Sequence, residues 1–264
     1  MKSIKILSLV AFVAIAAGLT AFIRSKASNQ INAGDNGFAV VELYTSEGCS
    51  SCPPADALVA KIEKESGGKP VYILAYHVDY WDRLGWKDQF SSADFSKRQN
   101  EYARYLKLQS VYTPQIIVNG KTEFVGSEEG TLRNAISTSL QSNAGAKLGL
   151  VVANAGAMQA SLKYTVEGAE KNTVLQVAVV EKSAVSKVGA GENSGRTLSH
   201  IQIVRKLQQI ALAGNNGTAS ISLPNEFDAK NWEIIGFLQN RTNGSITGAA
   251  KATFVNDNST AAVK

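Results

Sequence analysis

The hydrophobic pattern at the start of the chain predicts a strand, a helix and a second strand. Residues 38–44 are an apolar, strand-like run, and Val71–His77 is apolar on both faces, as in a central parallel strand covered on two sides. Between these runs, apolar residues recur at the spacing of one helix face. They are Ala55, Leu58, Val59 and Ile62. This order is that of a βαβ unit.

The pattern up to residue 143 adds two helices and a hairpin. Residues 91–106 have helical spacing with a more polar surface, and residues 128–140 form another amphipathic segment that opens with acidic residues. Between them, two short apolar runs are joined by Asn119 and Gly120. Asn-Gly is the natural type I′ turn, so residues 115–125 are expected to form a β-hairpin.

The periodicity changes between residues 143 and 147. Beyond this point apolar residues alternate with polar ones, as in 162–166 and 219–223, and glycine-rich gaps separate the segments. This pattern is typical of an antiparallel β module with a sandwich-like arrangement. We therefore expect an α/β unit over residues 36–143, a smaller antiparallel β module over 146–256 and a disordered tail over 257–264.

The first 27 residues have the pattern of an export signal. Lys2 and Lys5 precede an apolar stretch from residue 6 to residue 23, which would place the mature protein in the periplasm or outside the cell. Left uncleaved, the stretch is long enough to serve as a membrane anchor. Removing residues 1–27 leaves 23 basic against 22 acidic residues. The basic balance of the full chain therefore gives no reason to expect nucleic-acid binding.

The chemistry of the chain centres on its two cysteines, Cys49 and Cys52. They lie between the first strand and the first helix, where the helix N-terminus stabilises a thiolate. A disulfide that closes so short a loop contributes only about 2 kcal/mol by chain entropy, so a stabilising role alone is disfavoured. We expect Cys49 to be the nucleophile, since it lies nearer the loop and should be more exposed, and Cys52 to resolve the mixed disulfide.

Other residues are candidates for assisting roles. His77 ends the second strand, and it could be a proton shuttle, a third metal ligand or a hydrogen-bonded residue that fixes the loop over residues 79–86. Glu47 would oppose a thiolate electrostatically. Glu192 and Asn193 lie in a glycine-bracketed loop of the β module, which either folds back over the cysteines or forms a simple turn.

The element order resembles the thioredoxin fold over residues 38–141, and it ends with Thr-Pro, a hairpin and a helix. The resemblance implies that Pro114 is cis and lies against the cysteines, and that Thr113 offers its backbone to a bound partner. The chain departs from typical thioredoxins because no tryptophan precedes Cys49 and Ser-Ser separates the cysteines.

Several sequence blocks are similar to an exported bacterial family called domain of unknown function 1223. The blocks are VELYTSEGCSSCPPAD (41–56), HVDYWDRLGWKD (77–88), Arg98-Gln99, VYTPQ (111–115) and GENSGRTLSH (191–200). This family has a thioredoxin-like fold without an established reaction. The resemblance thus implies an α/β, thioredoxin-like domain followed by the smaller β module.

Three functions are compatible with these residues. The first is a thiol-disulfide oxidoreductase that needs no cofactor, acts on a protein or a small thiol or disulfide, and uses Cys49, Cys52, His77, Thr113 and Pro114. The second is a copper(I) module, since soft thiolates suit this ion and His77 could add a third ligand. The third is a non-catalytic binding protein with a permanent disulfide. The sequence predicts no oligomeric state.

Overall fold

The computed structural model describes residues 37–155, 158–228 and 230–254. The predicted export segment and the predicted tail lie outside these residues. The helices are α1 (Pro53–Ser66), α2 (Ala93–Leu106) and α3 (Glu129–Gln141). The strands are β1 (Ala39–Thr45), β2 (Val71–His77), β3 (Gln115–Val118), β4 (Thr122–Val125), β5 (Lys147–Ala155), β6 (Gln159–Glu167), β7 (Thr173–Lys187), β8 (Thr197–Ala211), β9 (Asn216–Ser222), β10 (Trp232–Asn240), β11 (Ile246–Lys251) and β12 (Thr253–Phe254).

A large mixed sheet of eight strands runs in the order β11-β10-β7-β8-β2-β1-β3-β4. β1 and β2 are parallel, β3 and β4 add an antiparallel hairpin, and β8 pairs in parallel with β2 where Ala75 faces Ile203. Four strands of the C-terminal half therefore extend the sheet of the N-terminal half. The change of pattern near residue 143 does mark where the helices end, but the two predicted units share one sheet.

The smaller sheet has the order β12-β5-β6-β9 and is antiparallel apart from the short β12. Its apolar face packs on β7 and β10 of the large sheet, with Leu150 and Leu162 on one side and Val177 and Ile234 on the other. The sandwich-like packing expected of the β module is thus formed between the small sheet and part of the large one.

The predicted elements of the first half form because their apolar faces pack against the large sheet. Ala55, Leu58, Val59 and Ile62 are buried against β1 and β3, as the helical spacing predicts. The Asn119-Gly120 turn has positive φ at both positions, 50° and 66°, which the type I′ hairpin requires. None of the described helices combines the length and the hydrophobicity needed to cross a membrane.

On the other face of the large sheet, Arg98 of α2 is buried against β1 and β10. Its Nη2 lies 2.7 Å from Glu42 Oε1, and its Nη1 donates to Gln239 Oε1 at 3.2 Å. The guanidinium also lies 5.0 Å from the ring centre of Tyr102, whose hydroxyl donates to Glu42. Because Glu42 belongs to the first half and Gln239 to the second, this buried network joins the two halves of the sheet.

We predict that Arg98→Ala destabilises the fold by about 3–5 kcal/mol, because it leaves the Glu42 carboxylate buried without its charged partner. The free energy of unfolding in urea measures this. Arg104→Ala on the same helix is the matched control, since the Arg104 side chain is 74% exposed and lies 3.9 Å from Glu101. Equal losses in the two variants would contradict the structural role given to Arg98.

Candidate functional site

Cys49 and Cys52 form a disulfide at the junction between β1 and α1, with their Cα atoms 5.4 Å apart. Cys52 directly precedes Pro53, the first residue of the helix, and the Cys52 carbonyl accepts hydrogen bonds from the N–H groups of Ala55 and Asp56 at 2.9 and 3.1 Å. The disulfide therefore lies at the helix N-terminus, where the unpaired N–H groups favour negative charge.

Both cysteines are fully buried, whereas Ser50 and Ser51 between them are exposed. The expectation that Cys49 would be the more exposed cysteine is therefore wrong. Residues 189–196, between β7 and β8, are distant in sequence and form hydrogen bonds with the backbone around the cysteines. We call this segment the cover loop.

Asn193 and Glu192 attach the cover loop to the chain around the disulfide. Asn193 is fully buried, and its Nδ2 donates to the carbonyl oxygens of Glu47 and Cys49 at 2.9 Å each. The backbone N–H of Ser50 donates to Glu192 Oε2 at 2.9 Å. Of the two arrangements open from the sequence, the loop adopts the one in which it folds back over the cysteines.

Glu47 is buried beside the disulfide and is not a free charge facing a thiolate. Trp86 Nε1 donates to Glu47 Oε2 at 2.6 Å, Ser186 Oγ donates to Oε1, and His200 Nε2 lies 3.6 Å from Oε1. Burial raises the pKa of Glu47 and so does the nearby Asp88, but the imidazole of His200 and the two hydrogen bonds outweigh them and hold it below its usual value.

Asp56 is the buried acid of α1, one helical turn after Cys52. Thr45 Oγ1 donates to Asp56 Oδ2 at 3.3 Å, and His200 Nδ1 lies 4.0 Å from the same oxygen. Burial raises the pKa of Asp56, although the nearby imidazoles of His200 and His77 act in the opposite direction. The two carboxyl groups are thus shifted in opposite directions, with the pKa of Glu47 below and that of Asp56 above its usual value.

His77 is fully buried, and its Nδ1 lies 2.7 Å from Asp88 Oδ2. That oxygen also accepts the backbone N–H of Glu47 at 2.8 Å, so Asp88 joins the end of β2 to the segment before the cysteines. The ring centre of His77 lies 4.8 Å from that of His200. Within the described chain, Nε2 of His77 has no hydrogen-bond partner. Asp88 and His200 bring His77 into the same buried cluster as Glu47.

Sequence reasoning missed three members of this cluster, Asp56, Asp88 and His200. Asp56 had the signal of an ordinary acid in a first helical turn, and Asp88 that of a loop residue. The His200 ring packs against that of Phe90, with the two ring centres 5.6 Å apart. A clue was available for Asp56 alone, because its spacing of four from Cys52 places both residues on one helix face.

The Thr113–Pro114 peptide bond is cis and lies close to the start of α1. A Cβ placed on Gly126 would lie 3.0 Å from the Cβ of Pro114 and 3.1 Å from that of Ala55, so these two side chains flank the same glycine. Trp81 Nε1 donates to Thr113 Oγ1 at 2.8 Å. Thr113 and Pro114 therefore lie on the side of α1 that faces β3 and β4.

The sequence model of the family described as "Protein of unknown function (DUF1223)" matches residues 40–239. The chain belongs to this family. The DUF1223 match includes the cysteine pair, the buried cluster and the cover loop, so the whole candidate site lies within it. No curated protein matches the chain.

Two solved structures are similar to this DUF1223 chain. Protein AGR_C_4864 from Agrobacterium tumefaciens, a crystal structure, has 26% sequence identity and a TM-score of 0.64, and the match covers 85% of this chain and 97% of that one. A domain of the outer membrane lipoprotein Omp28 from Porphyromonas gingivalis has 14% identity and a TM-score of 0.24, with coverage of 42% and 88%. The first similarity supports the mixed α/β architecture across nearly the whole chain.

The copper alternative is not favoured in this DUF1223 protein. Across the described ranges, no three His, Cys, Asp or Glu side chains come together as metal ligands. Cys49 and Cys52 are bonded to each other, and Asp88 engages Nδ1 of His77. The ligand set expected from the sequence is therefore not assembled.

We predict that the free energy of unfolding falls between pH 5.5 and pH 8.5. Burial lowers the pKa of His77, but the charge of Asp88 and the hydrogen bond to it raise the pKa above its usual value. A raised histidine pKa stabilises the fold below the unfolded value of about 6.5, and this is lost as the pH rises through the folded value. Urea unfolding at the two pH values measures the decline.

Asp88→Asn is the informative comparison for this decline. Asp88 raises the pKa of His77 and also that of Asp56, so the difference between the native protein and the variant reports the pKa shifts that depend on Asp88. We expect a smaller decline in Asp88→Asn, and an equal decline would contradict the coupling of His77 to Asp88.

Proposed function

We propose that this protein is an exported thiol-disulfide oxidoreductase in which Cys49 and Cys52 alternate between disulfide and dithiol. The observation that carries the proposal is the position of the disulfide, at the N-terminus of α1 and next to a buried cluster of two imidazoles and three carboxyl groups. A permanent crosslink needs neither feature. Perturbed ionisable groups gathered at a cysteine pair favour a site where protons are exchanged.

The reaction begins with a partner thiolate that attacks Cys49 Sγ. A bond forms between the partner sulfur and Cys49, the bond between Cys49 and Cys52 breaks, and Cys52 leaves as a thiolate that takes up a proton. A second partner thiolate then attacks the mixed disulfide, which releases the oxidised partner and leaves Cys49 as a thiolate. Two electrons pass from the partner thiols to the protein. The reverse sequence reduces a partner disulfide to two thiols and re-forms the Cys49–Cys52 bond.

The helix N-terminus and the buried cluster assist these steps in different ways. The dipole and free N–H groups of α1 stabilise the cysteine thiolates. Asp56, one turn from Cys52 and with a raised pKa, is suited to exchange the proton that Cys52 gains or loses. His77 holds Asp88 and thereby the backbone of Glu47, which is a positioning role.

The element order, which resembles that of the thioredoxin fold, supports the same proposal. The order strand, cysteine pair, helix, strand, helix and hairpin is that of the resemblance, and Thr113–Pro114 is cis beside the first turn of α1. In this proposal Thr113 offers its backbone to the partner. The strands that follow α3 add to the same sheet and bring His200 and the cover loop to the site.

The export signal expected from the sequence is consistent with a role for the disulfide in an oxidising compartment. The basic residues and apolar stretch at the N-terminus favour the periplasm or the exterior, with a membrane association if the stretch is retained. Disulfides persist in such compartments.

The complete burial of both sulfurs favours one second candidate, a binding protein in which the disulfide is structural. A sulfur with no exposed surface in the resting structure reacts only after the structure opens. The two candidates differ in whether the pair exchanges with a thiol at all.

We predict that Cys49→Ser abolishes thiol-disulfide exchange, because the attacked sulfur is lost. Cys52→Ser should instead hold the partner on Cys49 as a mixed disulfide, since the resolving thiol is missing. Turnover with glutathione disulfide measures the first effect, and the added mass of one glutathione measures the second.

His77→Ala is the comparison in the same assay, because it removes a positioning residue and leaves both sulfurs in place. We expect it to retain exchange, because His77 acts through Asp88 and not on sulfur. Undiminished turnover in Cys49→Ser would exclude the proposed reaction and leave the structural disulfide as the better account.

A further inference from the structure

The ends of the cover loop are held by the hairpin from which it extends. The N–H of Val188 donates to the carbonyl of Arg196 at 2.9 Å, and the N–H of Gly195 donates to the carbonyl of Val188 at 2.9 Å. Below these bonds, β7 and β8 remain paired from Lys187 and Thr197 onward. Only the short tip between these bonds can move without unzipping the hairpin.

The tip itself is tightly folded. Gly191 and Gly195 have φ values of 75° and 80°, and the Ser194 N–H donates to the Gly191 carbonyl at 3.1 Å. Arg196 Nη1 donates to Asn193 Oδ1 at 2.7 Å. The nitrogen of the same amide donates to the backbone of residues 47–52, which we call the cysteine loop. The Asn193 side chain is therefore bound at both ends.

The Trp86 side chain limits the space available to the cover loop. A Cβ on Gly189 would lie 2.9 Å from the Trp86 ring, and one on Gly191 would lie 3.4 Å from the Trp86 Cβ. The indole is in turn held by its hydrogen bond to Glu47. The loop is thus confined between the indole on one side and the cysteine loop on the other.

The closed loop occupies backbone groups as well as space. It forms hydrogen bonds with the carbonyls of Glu47 and Cys49 and with the N–H of Ser50. These are polar backbone groups next to the sulfurs. A partner that lies across the disulfide must displace Asn193 and Glu192 from these groups. A small molecule needs only a local opening at the tip.

Resting on the proposed function, we propose that the cover loop restricts the cysteine pair to low-molecular-weight thiols and disulfides, with Asn193 as the residue that determines this selectivity. The fixed ends of the loop permit a narrow opening, and a folded protein surface cannot enter it. The reaction is the one given above: two small thiols become one small disulfide as the Cys49–Cys52 bond is replaced by two thiols. The electrons come from the small thiols.

The test compares two reductants on the full-length oxidised protein. Dithiothreitol is the small dithiol, and a reduced thioredoxin is the folded protein dithiol. For each, the second-order rate constant for reduction of the Cys49–Cys52 bond is measured by alkylation and mass spectrometry. The ratio of the two rate constants measures selectivity. A general loss of stability has no preferred effect on this ratio.

We expect the native protein to react faster with the small dithiol. In Asn193→Ala, loss of two buried hydrogen bonds should raise the rate with the protein dithiol about tenfold and lower the ratio accordingly. Asn143→Ala, an exposed asparagine outside the site, is the matched control and should leave the ratio unchanged. If Asn193→Ala does not fold, Glu192→Ala serves instead, since it removes the exposed carboxylate that accepts the N–H of Ser50.

An unchanged ratio in Asn193→Ala, or in Glu192→Ala where that variant replaces it, would overturn the selectivity proposal. So would a native protein that reacts faster with the protein dithiol. Either result leaves the oxidoreductase proposal standing. A native disulfide that neither reductant opens would overturn both proposals, because no exchange then takes place for the loop to select.

Discussion

The pairing of β8 with β2 is the constraint on which the rest of the structure depends. It joins strands more than a hundred residues apart and makes one sheet of the two halves of the chain. Because β8 carries His200 next to Glu47 and Asp56, the same pairing completes the buried cluster. It also directs the hairpin of β7 and β8 so that its loop reaches the cysteines.

Acids and imidazoles are buried together in the cluster next to the disulfide. Burial disfavours every charge there, and only paired charges offset that cost. His77 with Asp88 is such a pair, whereas Asp56 has a hydroxyl donor and an imidazole 4.0 Å away. The group least compensated as an anion is therefore the one nearest in sequence to Cys52, where a proton must be exchanged if the pair turns over.

Local signals in the sequence were sufficient for the first half of the fold. The spacing of Leu58 and Ile62 predicts α1, and Asn119-Gly120 predicts the hairpin, because both depend on neighbours in sequence. The burial of Cys49 was not predicted, because the loop with Asn193, 144 residues from Cys49, had two arrangements open from the sequence alone. The alternating pattern of β8 is compatible with an edge strand and with a central strand. The local pattern therefore does not predict that β8 pairs with β2.

The central claim is that the Cys49–Cys52 bond opens and closes in the working protein, and its reduction potential tests this most directly. The potential is obtained by equilibrating the full chain with defined thiol-disulfide buffers and counting alkylated cysteines. The account predicts a value above about −300 mV, in the range of exchanging pairs. A value below about −300 mV would contradict it, because structural disulfides of exported proteins lie there.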